Sequence, residues 1–144
     1  MTPPSSDPLE LAARALRHRD RSRHEIDGRL ARAGVDDAAR AEALETLERV
    51  GYLDDGRFAS SRAAALAARG YGDEAIRADL EGQGLAPEPL AQALAALEPE
   101  AERAAALLAR HGRDARGAAR LTRKGFPAEL VADLLGAEAL PDDS

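Results

Sequence analysis

The sequence predicts an all-α protein: three tandem three-helix units forming an elongated, curved array. Three observations lead there. The first is a spacing that occurs three times. Leu16, Ile26, Leu30 and Gly34 are separated by ten, four and four residues; Leu66, Ile76, Leu80 and Gly84 repeat this fifty positions on; Leu107, Gly117, Leu121 and Gly125 repeat it forty-one further, with glycine at one apolar site. An apolar residue follows each terminal glycine: Val35, Leu85 and Phe126. Self-similarity at such a period marks stacked supersecondary units, each too small to bury its apolar face alone. The second is composition: with only Tyr52, Phe58, Tyr71 and Phe126 as aromatics in 144 residues, the core must be leucine and alanine, which suits packed helices and not a β-sandwich. The third is the absence of any strand-like alternation beside clear helix punctuation.

Asp7-Pro8 reads as an N-cap and first-turn proline opening a helix to about His18. Ser22 and Glu25 form a capping-box pattern before a helix that carries Ile26 and Leu30 inward and stops at Gly34. Asp36 or Asp37 caps a third helix, with Ala43, Leu44, Leu47 and Val50 inward, ending at Gly51. These make the first unit, residues 8–51. In the second, residues 52–98, Asp54 or Asp55 caps a helix to Arg69. Gly70-Tyr71-Gly72 is a tight turn, without the strand before it or the Lys-Ser/Thr after it that a phosphate loop needs. Asp73 caps the next helix, and Pro87 to Leu97 supplies the third, with Leu90, Leu94 and Leu97 in one stripe. The third unit, residues 99–136, starts at Pro99, turns at His111-Gly112, runs a helix from about Asp114 to Lys124, and closes with Pro127 to Leu135. The polar tails, 1–7 and 137–144, are expected to be disordered.

With no cysteine, disulfides, thiol nucleophiles and cysteine-based zinc sites are excluded. His18, His24 and His111 have no ligand-spaced partners, so no metal or other cofactor is expected. No apolar run approaches membrane-spanning length and the N-terminus has no apolar leader, so a cytoplasmic, monomeric protein with no membrane partner is expected. The net charge of −6 argues against bulk charge-driven nucleic-acid binding. Its distribution is uneven: four basic and eight acidic residues fall in 51–98, whereas 103–124 holds seven basic residues against Asp114 alone.

Two segments stand out. In Gly51-Tyr52-Leu53-Asp54-Asp55-Gly56-Arg57-Phe58-Ala59, half the aromatics fall within seven residues. Tyr52, Leu53 and Phe58 are expected to wedge the first two units together beside an Asp54 or Asp55 cap, with Asp55 and Arg57 on an exposed rim meeting another protein. Arg113, Arg116, Arg120 and Arg123 share one helical face. Arg110 and Arg103 extend the line on the preceding helix, and Lys124 closes it, with hardly any acid to pair with it. An acidic partner, protein or phosphate backbone, fits that face. Base readout by a third helix is disfavoured, because those helices carry Glu42, Glu45 and Glu48, then Glu88, then Glu129 and Asp133. A sequence-independent DNA-binding module using the basic face is the alternative function.

The order Ser22-x-x-Glu25-Ile26, then Gly51 to Ala59, then Arg69-Gly70-x-Gly72 with Ile76, Leu80 and Gly84, resembles the RecX family of recombinase regulators. Leu121-x-x-Lys124-Gly125-Phe126 is similar to that family's closing motif, and the resemblance spans residues 9–136. Tyr52, Leu53, Asp54, Phe58, Gly72 and Phe126 fall at its structural motif positions. Two departures, Gly117 and the small residues Ala64 to Ala68, predict looser packing. The resemblance implies a non-enzymatic helical protein that binds the RecA recombinase as a filament on single-stranded DNA, lodging in the filament groove. It further implies inhibition of the RecA ATPase and strand exchange, with weak direct DNA contact at most.

Overall fold

The structure, a computed structural model, describes residues 7–139. Among them are nine helices and no strand: α1 (Pro8–His18), α2 (Arg23–Arg32), α3 (Asp37–Arg49), α4 (Asp55–Ala68), α5 (Asp73–Gly82), α6 (Pro87–Ala95), α7 (Glu100–His111), α8 (Ala115–Arg123) and α9 (Ala128–Ala139). The expected disorder of residues 1–6 and 140–144 lies outside the described residues. Asp7 belongs to the fold, since its carboxylate accepts from the Leu9 amide and caps α1, and α9 continues to Ala139, past the expected tail boundary.

Local chemistry sets most of the helix ends. Asp36, Asp54 and Asp114 each accept a backbone N–H three residues on, at 2.8, 3.0 and 2.9 Å, and so cap α3, α4 and α8. Ser22 does the same for α2. Only half of its capping box forms, because the Glu25 carboxylate turns to arginine instead. Burial raises the Glu25 pKa, but hydrogen bonds from Arg21 and Arg29 and the charges of Arg19 and Arg21 outweigh it and hold the carboxyl below its ordinary value.

The recurring glycines are helix stops with a shared hydrogen-bond pattern. Gly34, Gly84 and Gly125 sit at φ of 88°, 79° and 95°, which side chains with a Cβ resist. At each, the glycine N–H reaches the carbonyl three residues back, and the following N–H reaches the carbonyl five back: Val35 to Leu30, Leu85 to Leu80, Phe126 to Leu121. This is the Schellman motif, in which the apolar residue after the glycine packs on the residue that accepts its bond. The thrice-repeated Leu-x-x-x-Gly-apolar string is therefore the closing of α2, α5 and α8.

The core is divided. One cluster takes Ala12, Ala15, Ile26, Leu30, Ala43, Leu44, Leu47 and Leu53 from α1–α3 and the turn that follows. A second runs from Phe58 and Ala59 through Leu66, Ile76 and Leu80 to Leu90 and Ala93. A third joins Ala104, Leu108, Leu121, Phe126 and Val131. The closely packed helix pairs likewise fall within α1–α3, α4–α6 or α7–α9. Full burial of each leucine or isoleucine contributes about 1.5–3 kcal/mol, so each triplet has a small core of its own. Inside the second triplet, Arg62 on α4 donates to both oxygens of Asp79 on α5, at 2.7 and 2.8 Å. That bidentate bond holds the Asp79 carboxyl below its ordinary pKa.

Several expectations need correction. Val50, expected inward on α3, is exposed. Asp73 does not cap α5; Gly72 occupies the cap position and Asp73 is the first helical residue. Gly117 does not loosen the third triplet. A Cβ there would lie 1.9 Å from the Gly112 carbonyl oxygen, so glycine is required by a close backbone approach at the start of α8. Nor do the alanines of α4 leave a void, since Ala64, Ala65 and Ala68 face solvent.

Candidate functional site

The triplets meet through helix ends, and both joints use the same chemistry. At the first, Asp55, the opening residue of α4, accepts the backbone N–H of Arg23, the opening residue of α2, at 2.7 Å. At the second, Glu100, the opening residue of α7, accepts the N–H of Asp73, the opening residue of α5, also at 2.7 Å. In each joint an acid at the start of one triplet satisfies a helix-start donor of the triplet before it, which would otherwise lack a partner. The terminal glycines serve the same joints: a Cβ on Gly84 would strike His24 and one on Gly125 would strike Ala75.

Arginines brace both joints. Arg57 donates to both oxygens of Asp20, at 3.0 and 3.1 Å, and to the carbonyls of Gly51 and Tyr52. Hydrogen bonding to Asp20 raises the pKa of the Arg57 guanidinium. Arg103 donates to Asp73 and to the Tyr71 and Glu98 carbonyls, and lies 5.9 Å from the Phe126 ring centroid. Its side chain is 9% exposed, so Arg103 belongs to the second joint and not to an open basic line. Gly72 is buried there. Its N–H donates to the Lys124 carbonyl at 2.8 Å, and Glu74 donates to the Gly125 carbonyl. The third triplet thus supplies the cap that α5 lacks.

These bonds revise the expectation for the Gly51–Ala59 string. Asp55 and Arg57 are engaged within the chain. Leu53 and Phe58 are both buried but in different cores, so they anchor adjacent triplets and do not form one wedge. Tyr52 is 61% exposed and packs in neither core. With Leu16, Arg17, Asp20 and Arg57 it lines an open cleft of about 630 Å³ at the first joint. Of the two candidate caps it is Asp54 that caps α4, and Phe126 lies in the third core.

Sequence reasoning could not see that a Cβ on Gly72 would lie 2.5 Å from the Gly125 oxygen, against the backbone of the Gly125–Phe126 peptide. Gly72→Ala should therefore force the second joint apart and cost about 1–3 kcal/mol. Urea denaturation checks this; a midpoint equal to wild type contradicts the packing described.

Apart from Arg103, the arginines of the expected basic face are exposed. Arg113, Arg116, Arg120 and Arg123 are exposed on or just before α8, and Arg110 is exposed at the end of α7. Arg110, Arg116, Arg120 and Arg123 form no ion pair among the described residues, in contrast to nine arginines elsewhere that do, from Arg14 to Arg103. Lys124 is half-buried, its Nζ 4.1 Å from the centroid of the Tyr71 ring, which Arg69 also approaches at 5.7 Å. Glu42, Glu45 and Glu48 on α3, Glu88 on α6, and Glu129 and Asp133 on α9 are exposed and would repel phosphate. Among the described residues no group of three or more His, Cys, Asp or Glu side chains could hold a metal, and no helix is long and apolar enough to cross a membrane.

Such a molecule, all-helical with three small cores and with Arg110, Arg116, Arg120 and Arg123 in no ion pair among the described residues, belongs to the class of α-helical scaffolds built from small packed units. Comparison with known proteins narrows the class. The chain is 32% identical over 130 residues to the regulatory protein RecX of Stenotrophomonas maltophilia, spanning 90% of this chain and 80% of that one. It is 34% identical over 125 residues to RecX of Xanthomonas axonopodis pv. citri, covering 87% and 77%. With RecX of Acidithiobacillus ferrooxidans the identity is 38% over 85 residues, and the match spans 57% of that protein. The crystal structure of RecX from Lactobacillus salivarius superposes with a TM-score of 0.78 over 92% of this chain and 94% of that one, at 18% identity, which shows the shared fold. No protein-family model matches the chain. The chain belongs to the RecX family of regulatory proteins.

Proposed function

We propose that this protein is a non-enzymatic regulator that binds the RecA recombinase, as a filament on single-stranded DNA, and inhibits its ATPase and strand exchange. It does so in the cytoplasm and as a monomer, with the basic face of α8 as its main contact. The observation that carries this reading is the contrast among arginines. Eight arginines of the first two triplets are engaged in ion pairs, whereas Arg116, Arg120 and Arg123, clustered on one short helix, enter none among the described residues and remain to meet a partner. Membership of a family of regulatory proteins supports the same reading. Three small cores in succession along the chain suit it too, since tandem helical units offer an extended surface to a filament.

The test is co-sedimentation with RecA assembled on poly(dT). The chain should pellet with the filament, and the bound fraction should fall as salt rises, because exposed charges are screened beyond about 10 Å at 0.1 M. Recovery of all the chain in the supernatant, at concentrations where RecA itself pellets fully, contradicts the proposal.

A further inference from the structure

Between the second and third triplets the chain forms a concave seat of about 190 Å³, lined by Arg69, Arg110, His111, Arg120 and Lys124 over a floor that includes Leu107 and Leu121. The five basic groups come from three segments: the end of α4, the end of α7 and the last turns of α8. Not one acidic residue lines it. Arg69, Arg110, Arg120 and Lys124 enter no ion pair among the described residues; the side chains of Arg69 and Lys124 both approach the Tyr71 ring, at 5.7 and 4.1 Å from its centroid.

Three helices end here, and cations are favourable at helix C-termini in any case. Magnitude decides whether that accounts for the cluster. Each helix end carries about half a negative charge, roughly one and a half in all, against four full positive charges from the three arginines and the lysine. The surplus is what an oxyanion would neutralise.

We infer that this seat binds a phosphate group of a nucleic-acid backbone, clamping the second triplet to the third. Donors drawn from three segments around one concavity suit a tetrahedral oxyanion better than a planar carboxylate, and guanidinium groups bond phosphate through two parallel N–H groups. Arg120 belongs both to the seat and to the α8 row. A strand with one phosphate in the seat can therefore lay the next ones toward Arg116 and Arg123. Tyr71 is not free to stack on a base, because Arg69 and Lys124 already occupy positions over its ring. The seat thus reads backbone and ignores base identity. This inference does not rest on the RecA reading, and its test contains no recombinase.

The whole chain, labelled with ¹⁵N, is titrated with sodium pyrophosphate, with dodecathymidylate and with poly-glutamate while the arginine Nε–Hε resonances are followed. Pyrophosphate and the oligonucleotide should both shift Arg69, Arg110 and Arg120 along one saturation curve, and the oligonucleotide should shift Arg116 and Arg123 as well. Arg69→Gln, which leaves α8 intact, should weaken oligonucleotide binding about tenfold and lower the slope of log affinity against log salt by about one. Arg69→Glu should weaken it further, with helical content unchanged by circular dichroism. The seat is refuted if Arg69 and Arg110 do not shift with either phosphate probe, or if both Arg69 variants bind the oligonucleotide as wild type does. Tighter binding of poly-glutamate than of the oligonucleotide would overturn the assignment in favour of an acidic peptide.

Discussion

Phe58→Ala is expected to cost about 3–5 kcal/mol, more than any other single truncation considered for this chain. Phe58 is 4% exposed and is the only aromatic fully inside the second core. Its neighbours there include Ala59, Ala63 and Ala93, which cannot extend into the space a lost ring leaves. The residual cavity therefore stays open, and the transfer and cavity terms both count. At the few degrees per kcal/mol typical of domains near this size, the melting temperature should fall by on the order of 10 °C. An unchanged melting temperature by circular dichroism would remove Phe58 from the core and undo the separation between it and Leu53. Tyr52→Ala, by contrast, should leave stability within about 0.5 kcal/mol, as surface changes usually do.

The second large effect is functional. Reversing Arg116, Arg120 and Arg123 to glutamate should raise the concentration needed to inhibit the RecA ATPase at least tenfold. All three are exposed, and none enters an ion pair among the described residues, so the fold loses no ion pair. Two of them, Arg120 and Arg123, lie in the last turn of α8, where each reversal also opposes the helix dipole by about 0.3–1 kcal/mol. A helical signal matching wild type is therefore part of the measurement. Undiminished inhibition by a folded triple variant excludes this face as the contact.

What could be read from the sequence follows the range of the interactions. Caps and helix stops are local: Asp7, Ser22, Asp36 and Asp114 each act within three residues, and the glycine stops within five, so a string of letters suffices to place them. The recurring leucines gave the cores for the same reason. Aspartate pairs were harder. Either member of Asp54-Asp55 fits a cap by type, and only the fold assigns Asp54 to its own helix and Asp55 to Arg23, thirty-two residues away. Arg57 stands out in its string, but its intramolecular partner does not, since Asp20 lies thirty-seven residues back. Gly117 misled because a missing side chain looks like decay of the repeat until the Gly112 carbonyl is seen filling its place.

The candidate site divides along the same line. The α8 row could be read from spacing alone, because residues three and four apart share a helix face. That Arg69 and His111 stand beside Arg120 and Lys124 could not be, because two turns and a joint between triplets bring them together. Arg103 shows the converse: grouped with the basic line by position, it is buried in the joint by its bonds to Asp73 and Tyr71.

The central claim is that this chain regulates RecA through direct binding. Its most direct test is titration of the wild-type protein into a RecA ATPase assay on single-stranded DNA, with a DNA-only binding control in parallel. A rate that falls with added protein, at concentrations where the control shows little DNA bound, is the predicted result. An ATPase rate that stays constant up to a molar excess over RecA, or that falls only in step with occupancy of the free DNA, would contradict it.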